Sequence, residues 1–130
     1  MTVGLLLITH KDVGKSLLDA ASAVLGHCPL KALTVSIEND CNPDRKDELV
    51  KKHIKTLGTD AGILIMTDMY GSTPSNIACR HVSTNIKAVS GINLPMLVRI
   101  LNYPDLNLNQ LIAKATSGGI EGVMSCKNED

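Results

Sequence analysis

Two stretches of this 130-residue chain end in side chains that can do chemistry. "LLLITH", Leu5 to His10, closes four aliphatic residues with a threonine and an imidazole. "GILIMTD", Gly62 to Asp68, closes a second aliphatic run with a threonine and a carboxylate. A carboxylate beside a histidine holds one ring nitrogen as N–H and leaves the other as a free lone pair, a nucleophile near neutral pH. "MYGSTPSN" follows Asp68 directly. In it Gly71 permits a tight turn, Ser72 and Thr73 bring hydroxyls, and Pro74 suits the first turn of a helix. Backbone N–H groups and the dipole at such a helix start attract an anion. No Gly-Lys-Ser/Thr follows, so this is not a nucleotide P-loop. Imidazole, carboxylate and anion-attracting loop together suit reversible phosphoryl transfer onto His10. Its loose transition state requires placement and stabilisation of the equatorial oxygens, with no metal and no cofactor.

For these groups to meet, the two runs must be neighbouring strands. Val3 to Ile8 and Ala61 to Met66 are continuous aliphatic runs of strand length, as expected of strands buried on both faces. Between them, Leu33, Val35 and Ile37 alternate with polar residues, which predicts a half-exposed edge strand. Helical periodicity fills the connections. Asp12 or a neighbour caps a helix whose stripe is Val13, Leu17, Ala20, Ala21, Val24 and Leu25, with Gly26 as its stop. Asn42 caps a second helix with Pro43 at its first position, a stripe of Leu49, Val50, Ile54 and Leu57, and Gly58 as its stop. A third helix starts near Pro74.

The last third predicts a short strand at Ile86 to Val89 and a helix over Leu94 to Leu101, "LPMLVRIL", apolar on almost every side. "NYPD" marks a turn. A helix follows with Leu108, Leu111, Ile112 and Ala115, broken at Gly118 and Gly119. A last strand over Ile120 to Ser125 and a frayed tail, "KNED", complete the pattern. Alternating strands and helices with buried central strands define an α/β protein with a doubly wound, mainly parallel sheet and a single domain over residues 1–130. Ligands of such sheets bind beyond the carboxyl ends of the strands, where strand order reverses. That is where His10 and Asp68 emerge.

Composition excludes several classes. Thirteen basic and thirteen acidic residues balance, giving no pull toward nucleic acid or a membrane surface. No apolar run approaches the roughly 18 residues that span a bilayer, and no signal peptide is recognisable. Cys28, Cys41, Cys79 and Cys126 match no zinc spacing and are expected to be reduced thiols of a cytoplasmic protein. With no Phe or Trp, the core must be aliphatic.

"LLLITH", "TDMYGSTPSN" and "AVSGINLPMLVRIL" occur in the order and spacing of the mannose-family IIA domain of the bacterial sugar phosphotransferase system, which the whole chain resembles. The resemblance implies that the enzyme is a phosphotransferase in which phospho-HPr phosphorylates His10, Asp68 orients it, and a IIB component receives the group. It implies a three-layer α/β sandwich forming a homodimer, with the Ile120–Ser125 strand exchanged between subunits and the Leu94–Leu101 helix near the interface. It also places the hydroxyl of Thr73 against the phosphoryl group. The candidate phosphoryl-binding residues are then Thr9, Met69, Tyr70, Gly71, Ser72 and Thr73. The IIB partner is expected on a separate polypeptide, with contact to a membrane only indirectly, through a permease complex. The chain departs from the family in Lys11, where a small residue, often glycine, commonly follows the histidine. It departs again in Ser72 and Ser75, where the family loop often has a glycine and an aromatic.

Two rival readings remain. One is a regulatory IIA whose phosphorylation state a partner reads. The other is a receiver-like domain phosphorylated on Asp68, which would require an acidic pair after the first strand where this chain has Thr9-His10 with Asp12 nearby. Elsewhere, His27, His53 and His81 are expected at surfaces or helix boundaries. Asn93 is expected to line the crevice or cap a helix, Arg80 to lie on a solvated helix face, and Tyr70 to contact a partner or pack.

Overall fold

A computed structural model describes residues 2–58 and 60–128. Four strands, β1 (Gly4–His10), β2 (Ala32–Ile37), β3 (Ile63–Thr67) and β4 (Ile86–Ser90), form one sheet in the order β2-β1-β3-β4. Every pairing is parallel. Five helices connect and cover it: α1 (Val13–Leu25), α2 (Pro43–Leu57), α3 (Thr73–Cys79), α4 (Leu94–Leu101) and α5 (Leu108–Glu121).

The side-chain period of two in the central strands divides the core. Leu5, Leu7, Leu64 and Met66 pack on the face covered by α1, α4 and α5. Leu6, Ile8, Ile63 and Ile65 pack on the face covered by α2 and α3. All eight side chains are almost completely excluded from water, which is why these runs read as continuous apolar sequence. Burying each aliphatic side chain stabilises the fold by about 1.5–3 kcal/mol relative to leaving it exposed. The chain leaves β1 through α1 toward β2 on one face and leaves β3 through α3 toward β4 on the other. The carboxyl ends of β1 and β3 therefore flank the point where strand order reverses, and a crevice opens there.

Most predicted elements are present, α4 with its predicted bounds. Asn42 caps α2 by accepting the Asp44 N–H, and left-handed Gly58 ends it by donating to the Ile54 carbonyl. Three expectations need correction. First, α1 is rotated from the predicted stripe: Gly14 and Ala21 are buried, with Leu17, Leu18 and Leu25 packed on the core, whereas Val13 and Val24 are exposed. Gly14 lies so close to β1 that an added Cβ would sit 3.1 Å from both Leu7 and Thr9. That contact, absent from any hydrophobic count, sets the helix rotation.

Second, Gly118 and Gly119 do not break α5, which continues to Glu121. An added Cβ would lie 2.6 Å from Arg99 at Gly118 and 2.8 Å from Met96 at Gly119. The glycines are there for close approach to α4, not for termination. Third, Ile120 and Glu121 are therefore helical, and residues 123–128 form neither helix nor strand in this single chain. A strand forms only against a partner. The end of the predicted frayed tail, Glu129 and Asp130, lies outside the described residues.

Candidate functional site

β1 runs two residues beyond its predicted end, so that Thr9 and His10 belong to the strand. Asp68 follows β3 immediately. The parallel register sets Ile8 beside Thr67, bringing the next residues of both strands to one edge. There Asp68 Oδ2 accepts two hydrogen bonds from His10, from the main-chain N–H at 3.1 Å and from ring Nδ1 at 2.9 Å. An ionised carboxylate only accepts, so Nδ1 carries the hydrogen, and in the neutral ring Nε2 carries the lone pair. The His10 side chain is 37% exposed and that of Asp68 16%. The imidazole thus reaches solvent while its partner is sheltered. The second carboxylate oxygen, Oδ1, is buried with no hydrogen-bond partner among the described residues.

The turn after His10 is held from three sides. The buried Thr9 hydroxyl accepts the Gly14 N–H at 2.7 Å and donates to the His10 carbonyl at 3.3 Å. Lys11 adopts φ +43°, the one positive φ outside glycine among the described residues, and its N–H donates to the Ile37 carbonyl at 2.9 Å. A left-handed residue bearing a Cβ costs roughly 1–2 kcal/mol, which glycine avoids. This is the physical reason a glycine suits the position. Asp12 occupies the cap position of α1 but makes no side-chain cap bond. Its carboxylate instead accepts the Ser36 hydroxyl from β2 at 3.3 Å.

The other wall is the segment from Asp68 to α3. Met69 and Tyr70 are exposed, Tyr70 to 83%, so Tyr70 stands at the rim and packs on nothing. Gly71 turns the chain at φ +81°. Ser72 is latched to its own loop, with its hydroxyl donating to the Met69 carbonyl at 2.6 Å and its N–H to the same oxygen at 3.3 Å. Thr73 is exposed at the first position of α3, and among the described residues its hydroxyl makes no hydrogen bond. The N–H groups of Met69, Tyr70 and Gly71 are likewise without one among the described residues. At the floor, the Thr67 and Ser90 hydroxyls bond at 2.8 Å and tie the ends of β3 and β4 together.

The structure therefore brings His10 and Asp68 into contact at the carboxyl ends of β1 and β3, with the Met69–Thr73 segment leading directly from Asp68 into α3, while the hydroxyls of Thr9 and Ser72 serve the adjoining turns. Sequence reasoning missed the left-handed backbone of Lys11, the Asp12–Ser36 bond and the Thr67–Ser90 bond. The two threonines that precede His10 and Asp68 were the available signal, since buried hydroxyls at strand ends need partners.

Other candidates fall elsewhere. His81 lies at the helix boundary just past α3, where its side chain is 8% exposed and its Nε2 lies 2.6 Å from Asp47 of α2. Arg80 lies 4.0 Å from Asp44 on the solvated side of that junction. Asn93 caps α4 by accepting the Met96 N–H and donates to the Gly119 carbonyl. It also lines a cavity of about 280 Å³ with Ser90, Met96 and Thr116. Among the described residues no three His, Cys, Asp or Glu side chains are grouped to hold a metal ion. Among the described residues no acidic pair is grouped with Asp68 as a receiver would require, and Asp68 is instead hydrogen-bonded to His10. No helix among the described residues is long and apolar enough to cross a membrane.

Fold and site together define a doubly wound α/β protein presenting an aspartate-held histidine at the switch point of its sheet. The family model of the PTS system fructose IIA component matches residues 4–115, and the chain belongs to this family, the mannose-type IIA components of the phosphotransferase system. The mannose-specific EIIAB component of Escherichia coli K12 is 29% identical over 131 residues, covering 98% of this chain and 40% of that protein. The chain thus spans well under half the length of the curated relatives it matches. Among solved structures, the mannose/sorbose specific IIA subunit of Enterococcus faecalis superposes with a TM-score of 0.89 at 23% identity, covering 100% of this chain and 98% of that one. The component EIIA of Streptococcus agalactiae gives 0.79 at 19% identity, covering 96% and 97%.

Proposed function

We propose that His10 is the phosphoryl acceptor, that phospho-HPr is its donor, and that a IIB component receives the group for sugar uptake and phosphorylation. The observation that carries this reading is the double hold of Asp68 Oδ2 on the ring Nδ1 and main-chain N–H of His10.

Nε2 of His10 attacks the phosphorus of the donor's phosphohistidine in line. An Nε2–P bond forms, the donor's N–P bond breaks, and that electron pair returns to the donor imidazole. As Nε2 bonds phosphorus, the His10 ring gains positive charge. Nδ1 already bears its hydrogen, so Asp68 stabilises the cationic ring with no proton having to move. Onward transfer is the same step in reverse. The N–H groups of Met69, Tyr70 and Gly71 and the Thr73 hydroxyl surround the equatorial oxygens, while Thr9 and Ser72 hold the turns. Because α3 has only seven residues, we assign this stabilisation to local N–H and O–H donors and little of it to a helix dipole.

The family resemblance and the exposed Ile120, Val123 and Met124 at the C-terminal end support the further reading that two copies associate, with the segment after α5 pairing on the partner's sheet edge.

Incubation with labelled phospho-HPr tests the acceptor. The wild-type protein takes up label that is acid-labile and alkali-stable, and His10→Ala takes up none. Label of normal rate on His10→Ala, or label lost in alkali, overturns the reading in favour of another acceptor such as Asp68.

A further inference from the structure

We propose that Lys11 sets how strongly this site holds the phosphoryl group, because the single positive charge of the phosphorylated ring is opposed by Asp68 and the phosphoryl oxygens, and the Lys11 ammonium adds a second. The inference rests on His10 being the phosphoryl acceptor. Two separate observations lead to it.

The first is the backbone. At φ +43°, Lys11 occupies a conformation that disfavours any side chain. The turn itself is fixed by the bond from its N–H to the Ile37 carbonyl, which a glycine would make equally well. The main chain thus has no need of a lysine, and the strain is retained for the side chain. Non-glycine residues held in this region mark functional positions more often than chance.

The second is the balance of charge. Asp68 is anionic, with one oxygen on His10 and the other buried without a partner among the described residues. The loop from Met69 to Thr73 carries no charged side chain. Asp12, two residues beyond His10, adds a second carboxylate, bonded to Ser36. A phosphoryl group on Nε2 brings roughly two more negative charges to this edge. Of the two lysines that follow His10 within one turn of α1, Lys15 is 2.8 Å from Asp19 and ion-paired. Lys11 is exposed and makes no ion pair among the described residues. Its flexible stem carries a compact charge that can follow a group arriving and leaving on the adjacent residue. Lys11 therefore favours the phosphorylated state and the anionic transition state that leads to it. It donates no proton and forms no covalent bond.

The test compares wild type with Lys11→Gln, Lys11→Gly and Lys11→Arg in the full chain, using labelled phospho-HPr as donor. The readouts are the initial rate of uptake and the phosphorylated fraction at equilibrium, by phosphorus NMR. Lys11→Gln and Lys11→Gly are expected to lower both by about tenfold at low salt, with Lys11→Arg close to wild type. The deficit should shrink at about 1 M salt, where charges are screened within about 3 Å. Wild-type rates and equilibria in both neutral variants overturn the proposal. So does a Lys11→Arg as impaired as Lys11→Gln, because shape rather than charge would then matter. If Lys11→Gln melts early, Lys11→Gly, relieved of backbone strain, carries the comparison. Label on His10→Ala defeats the acceptor reading and this proposal with it. A blank His10→Ala with normal neutral Lys11 variants defeats this proposal alone.

Discussion

At the scale of single residues, one carboxylate oxygen does two things for His10: it fixes the strand end through the main-chain N–H and the tautomer through Nδ1. Asp68→Asn keeps the shape and a possible acceptor but removes the charge that stabilises a cationic ring. Hydrogen bonds to charged groups contribute about 1.5–3 kcal/mol, so phosphoryl uptake should slow by about 10–100-fold. The melting curve should hardly change, and an unchanged uptake rate would remove Asp68 from the mechanism. Lys11→Gly acts in the opposite sense on stability. Relief of the left-handed conformation should raise stability by about 1 kcal/mol, a rise in Tm of a few degrees read by calorimetry. A lower Tm would mean that the Lys11 side chain packs in a way its exposure does not show.

At the scale of elements, helix contacts decide what hydrophobic periodicity leaves open. Gly118 faces Arg99 of α4 at a separation that leaves no room for a Cβ. Alanine normally favours a helix over glycine by about 1 kcal/mol. Here Gly118→Ala should instead destabilise, because overpacking a close contact costs about 1–3 kcal/mol and more for valine. Denaturant unfolding checks the sign, and a stabilised Gly118→Ala would show that α4 and α5 separate freely. The same contacts explain what was legible in the sequence. The buried strands, the capped α2 and the all-apolar α4 each announce themselves through side chains that must be covered. The rotation of α1 and the length of α5 depend on glycines whose meaning is the neighbour they touch, and a sequence window holds no neighbour. His10 and Asp68 were legible because strand ends and sheet topology locate them together. The turn conformation at Lys11 and the inward hydroxyls of Thr9 and Ser72 were not, since each is fixed by a partner on another segment or by loop closure.

At the scale of the whole molecule, the parallel order β2-β1-β3-β4 sends the chain away from β1 and β3 in opposite directions and leaves the crevice between them. β4 is a sheet edge, and Ile120 at the end of α5 and Val123 and Met124 just after it in sequence are exposed. Light scattering at micromolar concentration should report twice the chain mass, with truncation after Glu121 shifting the protein toward a single copy. A monomer in the full chain would contradict association through this segment. The central claim concerns one nitrogen of one side chain. The most direct measurement is nitrogen and phosphorus NMR of the chain after reaction with phospho-HPr. The expected result is a phosphorus–nitrogen bond at Nε2 of His10 with Nδ1 still protonated against Asp68. A phosphoryl group on Nδ1, on Asp68, or on any other residue would contradict the account.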